Sequence, residues 1–174
     1  MVKGLQRSIG RAPGGAHGVS AARFVYRIEH TITVDGATGV GFGTVVIGDI
    51  PEGNIQLLGA VAYVQFTGPT SANLGDTWSG DYGIGTTPAS DATITGADIN
   101  VIPSTAVGPA VAEASPRTRG VFDASSPIAV LDNTDGALEL NLNLLIDDAD
   151  IGADGIAVAA LGELFLHYMA LGDD

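Results

Sequence analysis

The run IAVAALGELFLHYMAL, residues 156–171, decides the fold class of this chain. Alanine, leucine and glutamate favour helix by intrinsic propensity. The pattern points the other way. Ile156, Val158, Ala160, Gly162, Leu164, Leu166 and Tyr168 fall on alternate positions, the period of a strand with one apolar face. Gly155 in front supplies turn chemistry, because glycine reaches positive φ without a steric cost. We read the run as a strand, with a helix as its alternative. As a strand it completes an all-β chain; as a helix it would make the protein mixed.

The rest of the chain reads in the same direction. From Phe24 to Val34, Phe24, Tyr26, Ile28, His30, Ile32 and Val34 alternate with Val25, Arg27, Glu29, Thr31 and Thr33. Asp35-Gly36 then turns the chain. A second strand spans 40–50, with Val40, Phe42, Thr44, Val46 and Gly48 on one face. After the turn at Pro51 to Asn54, residues 55–67 are almost continuously apolar, as in a central strand covered on both faces. Residues 74–88 read as irregular or as a short edge strand, and 91–95 as a short strand. The segment 97–118, with Pro103, Pro109 and Pro116, reads as a long connection. A strand over 126–132 and a turn at 133–136 follow. In 137–146, Leu138, Leu140, Leu142 and Leu144 alternate with Glu139, Asn141 and Asn143, a half-buried strand. The sum is an antiparallel β-sandwich, jelly-roll-like, over residues 23–174. In front of it stands a basic, Gly-rich N-terminal arm, residues 1–22, with no sustained period of its own.

Charge divides the chain at nearly the same point. Residues 1–27 carry Lys3, Arg7, Arg11, Arg23 and Arg27 and no acidic residue. The remainder carries all 20 acidic residues and only Arg117 and Arg119 as cations, within an overall net charge of −13. An acidic body opposes contact with a nucleic-acid backbone or an anionic membrane. The segment 1–22 has no apolar run of a secretory signal, and no stretch approaches the length of a membrane span. With no cysteine, disulfides, thiolate zinc sites and cysteine nucleophiles are excluded.

Candidate chemistry is sparse. The loop 147–155 is dense in carboxylates, and Asp147, Asp148, Asp150 and Asp154 are its candidate calcium ligands. EF-hand spacing fails: counting from Asp148, the position that needs a bidentate glutamate holds Ala159. A solvated loop with aspartate as turn former accounts for it as well, and we assign no metal and no cofactor. His17, His30 and His167 have no metal-ligand spacing. There is no G-x-S-x-G elbow and no G-K-[ST] phosphate loop, so no enzyme is expected. Trp78 and Tyr82, in a Gly-rich acidic segment, read first as packing residues or an interface anchor, with stacking on a sugar as the alternative. The arm stands apart, because Lys3, Arg7 and Arg11 have no evident internal partner. They suit an acidic surface on another protein chain, with Arg117 and Arg119 as a second contact patch. Arg23 and Arg27, at the junction, have body carboxylates within reach of their stretch.

Several phrases of residues 40–174 resemble the head decoration (cement) proteins of tailed bacteriophages, of a β-sandwich type. They are IGDIPEGN (47–54), IGTTP (84–88) followed by DAT (91–93), IPST (102–105), LNLLIDDADI (142–151) and the LGD ending at 171–173. The likeness is one of texture and phrase order. It implies a non-enzymatic structural virion protein, often a homotrimer, bound to the major capsid protein on the outer capsid surface and reinforcing it against internal DNA pressure. A tail or fibre component is the first alternative. A calcium- or carbohydrate-binding β-sandwich module is the second.

Overall fold

In the computed structural model, which describes residues 20–35, 41–69, 74–91, 93–122, 130–147, 150–152 and 155–172, the run 156–172 is extended along its whole length. This strand, β9 (Ile156–Gly172), lies between two others of 15 residues each, β1 (Ser20–Val34) and β3 (Gly53–Thr67). It pairs antiparallel with β1 from Ala170 opposite Ser20 to Ile156 opposite Val34. It pairs with β3 on its other edge from Gly172 to Ala159, with irregularities at Asn54 and at Leu58. Two long ladders outweigh the helix propensity of its alanines and leucines, because tertiary pairing on both edges satisfies the backbone groups along most of the run.

The remaining strands are β2 (Gly41–Asp49), β4 (Gly80–Gly85), β5 (Ile102–Val107), β6 (Thr118–Val121), β7 (Leu131–Asn133) and β8 (Glu139–Ile146). They build two antiparallel sheets packed face to face. The first has the order β1-β9-β3-β6, with β7 also on β3, and the second β2-β8-β4-β5. First strand pairs with last, β2 with β8, β3 with β6 and β4 with β5. This nested pairing is the jelly roll. The described residues contain no α-helix; a 3₁₀ turn spans Gly96–Asp98.

The core is the contact between the sheets. Ile28 and Ile32 from β1, Ala62, Val64 and Phe66 from β3, and Val158, Leu164 and Leu166 from β9 face Tyr82 and Ile84 from β4, Ile102 from β5, and Leu140, Leu142 and Leu144 from β8. Burying such side chains is worth about 1.5–3 kcal/mol each. β2 passes very close to β1: a Cβ at Gly43 would collide with the Thr33 carbonyl oxygen and Ile32. In the centre of the first sheet, a Cβ at Gly162 would run into the Tyr63 carbonyl oxygen.

Several expected details differ. Ser20, Ala21 and Ala22 belong to β1, because β9 is long enough to offer them partners in Ala170, Met169 and Tyr168; the strand therefore starts inside the stretch read as arm. The buried side of β2 holds Gly41, Gly43 and Ile47, whereas Val46 faces solvent. The glycines are what lets β2 approach β1. β3 alternates between buried and half-exposed positions, since a two-layer sandwich covers only one face of each sheet. β4 is internal, between β8 and β5. Residues 93–95 are not a strand; the Asp91 carboxylate accepts from the Thr93 amide at 2.7 Å and starts a turn.

The Pro-rich connection carries β5 and leads into β6. Pro103 is tolerated in β5 because β5 is an edge strand. Between them, Val111 and Ala114 close a two-residue turn with Ala112 and Glu113 at positive φ. Of the strand read over 126–132, residues 126–129 lie outside the described residues, and β7 starts at Leu131. The loop after β8 crosses between sheets and is no hairpin.

β8 is covered on both faces. Its Asn143 is fully buried beneath the connection from β4 to β5. Asn143 Oδ1 accepts from the Ala89 amide at 2.9 Å, and its Nδ2 donates to the carbonyls of Asp98 (2.7 Å) and Thr87 (3.1 Å). An asparagine that reads as solvent-facing in the alternation is thus the clasp of a loop. Asn143→Ala leaves one buried amide and two carbonyls without their partner, so we expect a loss of about 3 kcal/mol. A urea denaturation midpoint checks it.

Three phenols report on the core. Burial pushes the ionisation of Tyr82 and Tyr168 up, and burial followed by the neighbouring Tyr168 and Asp49 pushes up that of Tyr26. In the unfolded chain a phenol loses its proton near pH 10, about where it would in a free peptide. The folded chain holds its protons to higher pH, so stability is complete below about pH 10 and falls as pH rises past it. Tyr82→Phe should flatten that fall in an alkaline denaturation series, relative to its own stability at neutral pH.

Candidate interaction surface

The outer face of the first sheet is built by the residues that alternate with the core positions. Directly opposed residues on neighbouring strands share a face, so the register sets the layout. One row across β1, β9, β3 and β6 is Val25, Phe165, Val61 and Val121. The next is Arg27, Glu163, Tyr63 and Arg119. Arg23, His167 and Gly59 flank the apolar row on one side, and Glu29, Leu161 and Gln65 continue beyond the charged row on the other. Arg117, just before β6, reaches the same ground.

This face is both apolar and open. Val25 is 51% exposed, Leu161 52%, Leu58 47% and Val121 41%. Tyr63 and Phe165 meet edge to face at 6.4 Å between ring centres. Arg23 lies over the Phe165 ring at 4.9 Å and Arg117 over Tyr63 at 5.7 Å, positions in which a guanidinium is held by the negative ring face. Arg27 pairs with Glu29 at 2.8 Å, and Arg117 approaches Glu163 at 4.0 Å. These exposed pairs contribute little to stability. Two shallow depressions open here. One, of about 290 Å³, lies between Arg27, Glu29, Gln65, Arg117, Leu161 and Glu163. The other, of about 360 Å³, lies between Leu58, Val61, Val121, Phe165 and His167.

Charge is segregated accordingly. Among the described residues, all four arginines are on this face, with only Glu29 and Glu163 beside them. The other thirteen described carboxylates lie outside it: in turns and loops such as those of Glu52, Asp76, Asp98 and Asp135, at the far ends of the first sheet, as Asp35 and Asp132 do, or in strands of the second sheet, as Asp49, Asp81 and Glu139 do.

Arg117 and Arg119, read as one patch, are therefore joined by Arg23 and Arg27 from the opposite edge of the sheet. Arg27 pairs with its own strand neighbour, and Arg23 stacks on Phe165. Lys3, Arg7 and Arg11 lie outside the described residues. Sequence reading missed Val61 and Tyr63 as surface residues, because it took residues 55–67 as covered on both faces, whereas Val25, Leu161 and Phe165 fall opposite the apolar face in the alternation of their strands. The signal was present in the almost continuous apolar character of residues 55–67, once only one face of β3 is covered.

The other candidates resolve differently. Trp78 and Tyr82 are fully buried and unavailable to a sugar. Trp78 Nε1 donates to the Glu113 carbonyl at 3.0 Å, and Tyr82 packs 5.6 Å from Phe66. Asp147 and Asp150 converge on Ser79: its hydroxyl donates to Asp147 Oδ2 at 2.6 Å and its amide to Asp150 Oδ2 at 3.0 Å. Asp148 and Asp154 lie outside the described residues. Among the described residues no group of three or more His, Asp or Glu side chains is placed to hold a metal ion. His30 is half-buried opposite Ala160, and His167 is exposed on the arginine-bearing face.

Compared with known proteins, the chain matches no family model and no curated protein.

Residues that serve a partner rather than the fold tolerate substitution in the isolated chain. Val121→Glu and Leu161→Glu should each change the unfolding free energy by less than about 0.5 kcal/mol, as at ordinary surface positions. Thermal denaturation measures it; a large loss would assign the apolar row to the fold.

Proposed function

We propose that this chain is a non-enzymatic structural protein of a virion, a decoration module that seats on the outer surface of a phage capsid by contact with the major capsid protein. The observation that carries the reading is the solvent-facing apolar row of the first sheet, rimmed by every arginine of the described residues. A free-standing module has no use for such a face, because apolar area left in water lowers solubility. The phrase likeness over residues 40–174 and the jelly-roll strand order support the same reading.

The acidic remainder of the body suits this role. At high copy number on a lattice, like charge keeps neighbours from associating out of register. Weak contacts per copy suffice when many copies share a surface or when copies associate as trimers, as the likeness implies. Lys3, Arg7 and Arg11 add a second set of cations for an acidic partner surface.

Electron microscopy of virions from the source phage, labelled with antibody against this chain, tests the reading. The expected result is label on the heads. Label confined to tails or fibres, or heads without the chain, would overturn it.

A further inference from the structure

We propose that the partner seated on the outer face of the first sheet is an acidic protein surface with aliphatic side chains at its centre. The inference rests on the functional reading above for where the partner is found, and on the geometry of this face for its chemistry. Val25, Phe165, Val61 and Val121 form an unbroken apolar line across four strands. Such a line takes aliphatic or aromatic side chains, and phosphate groups gain nothing from it. On either side stand guanidiniums, at Arg23 beyond one flank and at Arg27 and Arg119 beyond the other. Arg27 and Arg117 both line the depression that includes Leu161. Their present partners, Glu29 and Glu163, are exposed and hold them in place without neutralising Arg23 or Arg119. Carboxylates entering this depression meet a rim that carries two cations.

Charge decides among occupants. The same face of a second copy would set four arginines against four. The segment 1–19 carries Lys3, Arg7 and Arg11 and no carboxylate, so it is repelled as well. Nucleic acid and anionic lipid meet Glu29 and Glu163 within the patch and thirteen more carboxylates around it, which oppose a dense phosphate surface. An acidic protein surface can match arginine with carboxylate and apolar side chain with apolar side chain, residue by residue.

Size decides the strength. With strands about 4.8 Å apart and residues rising about 3.3 Å, the patch from Arg23 to Glu29 across four strands measures roughly 20 Å by 20 Å. That is about half the area per partner of a standard stable complex. A single contact is therefore weak and gains its strength from repetition on a lattice.

The test uses the full chain and labelled probes read by fluorescence anisotropy: a short peptide of Glu-Glu-Leu repeats, its Lys-Lys-Leu analogue and a DNA duplex. The acidic peptide should bind, more weakly as salt is added. Arg27→Gln/Arg117→Gln should weaken it roughly tenfold, the product of about three- to fivefold for each exposed ion pair. Ser104→Glu/Ala106→Glu changes net charge equally on the edge strand of the other sheet, and should change binding less than about twofold. If the arginine pair is misfolded by circular dichroism, Arg119→Gln takes its place. Equal binding by the arginine variant, or tighter binding of the lysine peptide or of DNA, overturns the proposal. If the peptide results hold but virions lack the chain, the functional reading falls and the surface stands. If virions carry the chain and retain the arginine variant as tightly as the wild type, the surface falls and the functional reading stands.

Discussion

Strand β9 is hydrogen-bonded along both edges, to β1 over all of that strand and to β3 over nearly all of it. This double ladder is the constraint on which the rest of the structure depends. It places three long strands side by side, and so makes the first sheet wide enough to have an outer face at all. It also closes the jelly roll, since pairing the first strand with the last forces β2 onto β8 and β4 onto β5 in the sheet opposite. The close passage of β2 past β1 follows from that closure, and Gly43 is the residue that permits it. At Gly162, in the middle of β9, the absence of a side chain lets the backbone of β3 lie flat against it.

A two-layer architecture has one interior and two exteriors. Every strand of the first sheet turns half its side chains outward, and nothing in the chain covers them among the described residues. In most sandwiches that side is polar. Here the exterior of the first sheet keeps Val25, Leu58, Val61, Leu161 and Phe165, while the arginines gather beside them. The carboxylates are dispersed over loops and strand ends, where solvent screens them from each other. The result is a body with one face of distinct sign and texture, which is the physical basis for reading it as a binding module.

Legibility in the sequence varied with how local the determining force was. The strand at 156–172, the turn at Gly136 and the alternation in β1 follow from period and turn chemistry, which act within a few residues. β4 read as irregular because six residues rich in glycine carry little pattern of their own; β8 and β5 hold it in place from either side. β5 was hidden by Pro103, whose missing donor matters less at an edge. Asn143 shows the limit of alternation. Its polar side chain reads as solvent-facing, yet it is buried, because a loop more than forty residues earlier in the chain folds over it and satisfies all its hydrogen bonds. Trp78 and Tyr82, aromatic residues in a Gly-rich segment, are enclosed completely by the sandwich, as the packing reading of the pair has it.

By itself the sequence determined that the chain is all β, that apolar and polar residues alternate along its long strands, and that its cations are few. These are properties of composition and short-range spacing, and they survive in any arrangement of the strands. Tertiary structure alone decided which face of each strand is inside, because only packing of one sheet on the other removes a face from water. It also decided that Arg23, Arg27, Arg117 and Arg119 share one surface. Residues some ninety positions apart become neighbours only through the register of β1, β9, β3 and β6, and no local pattern carries that register.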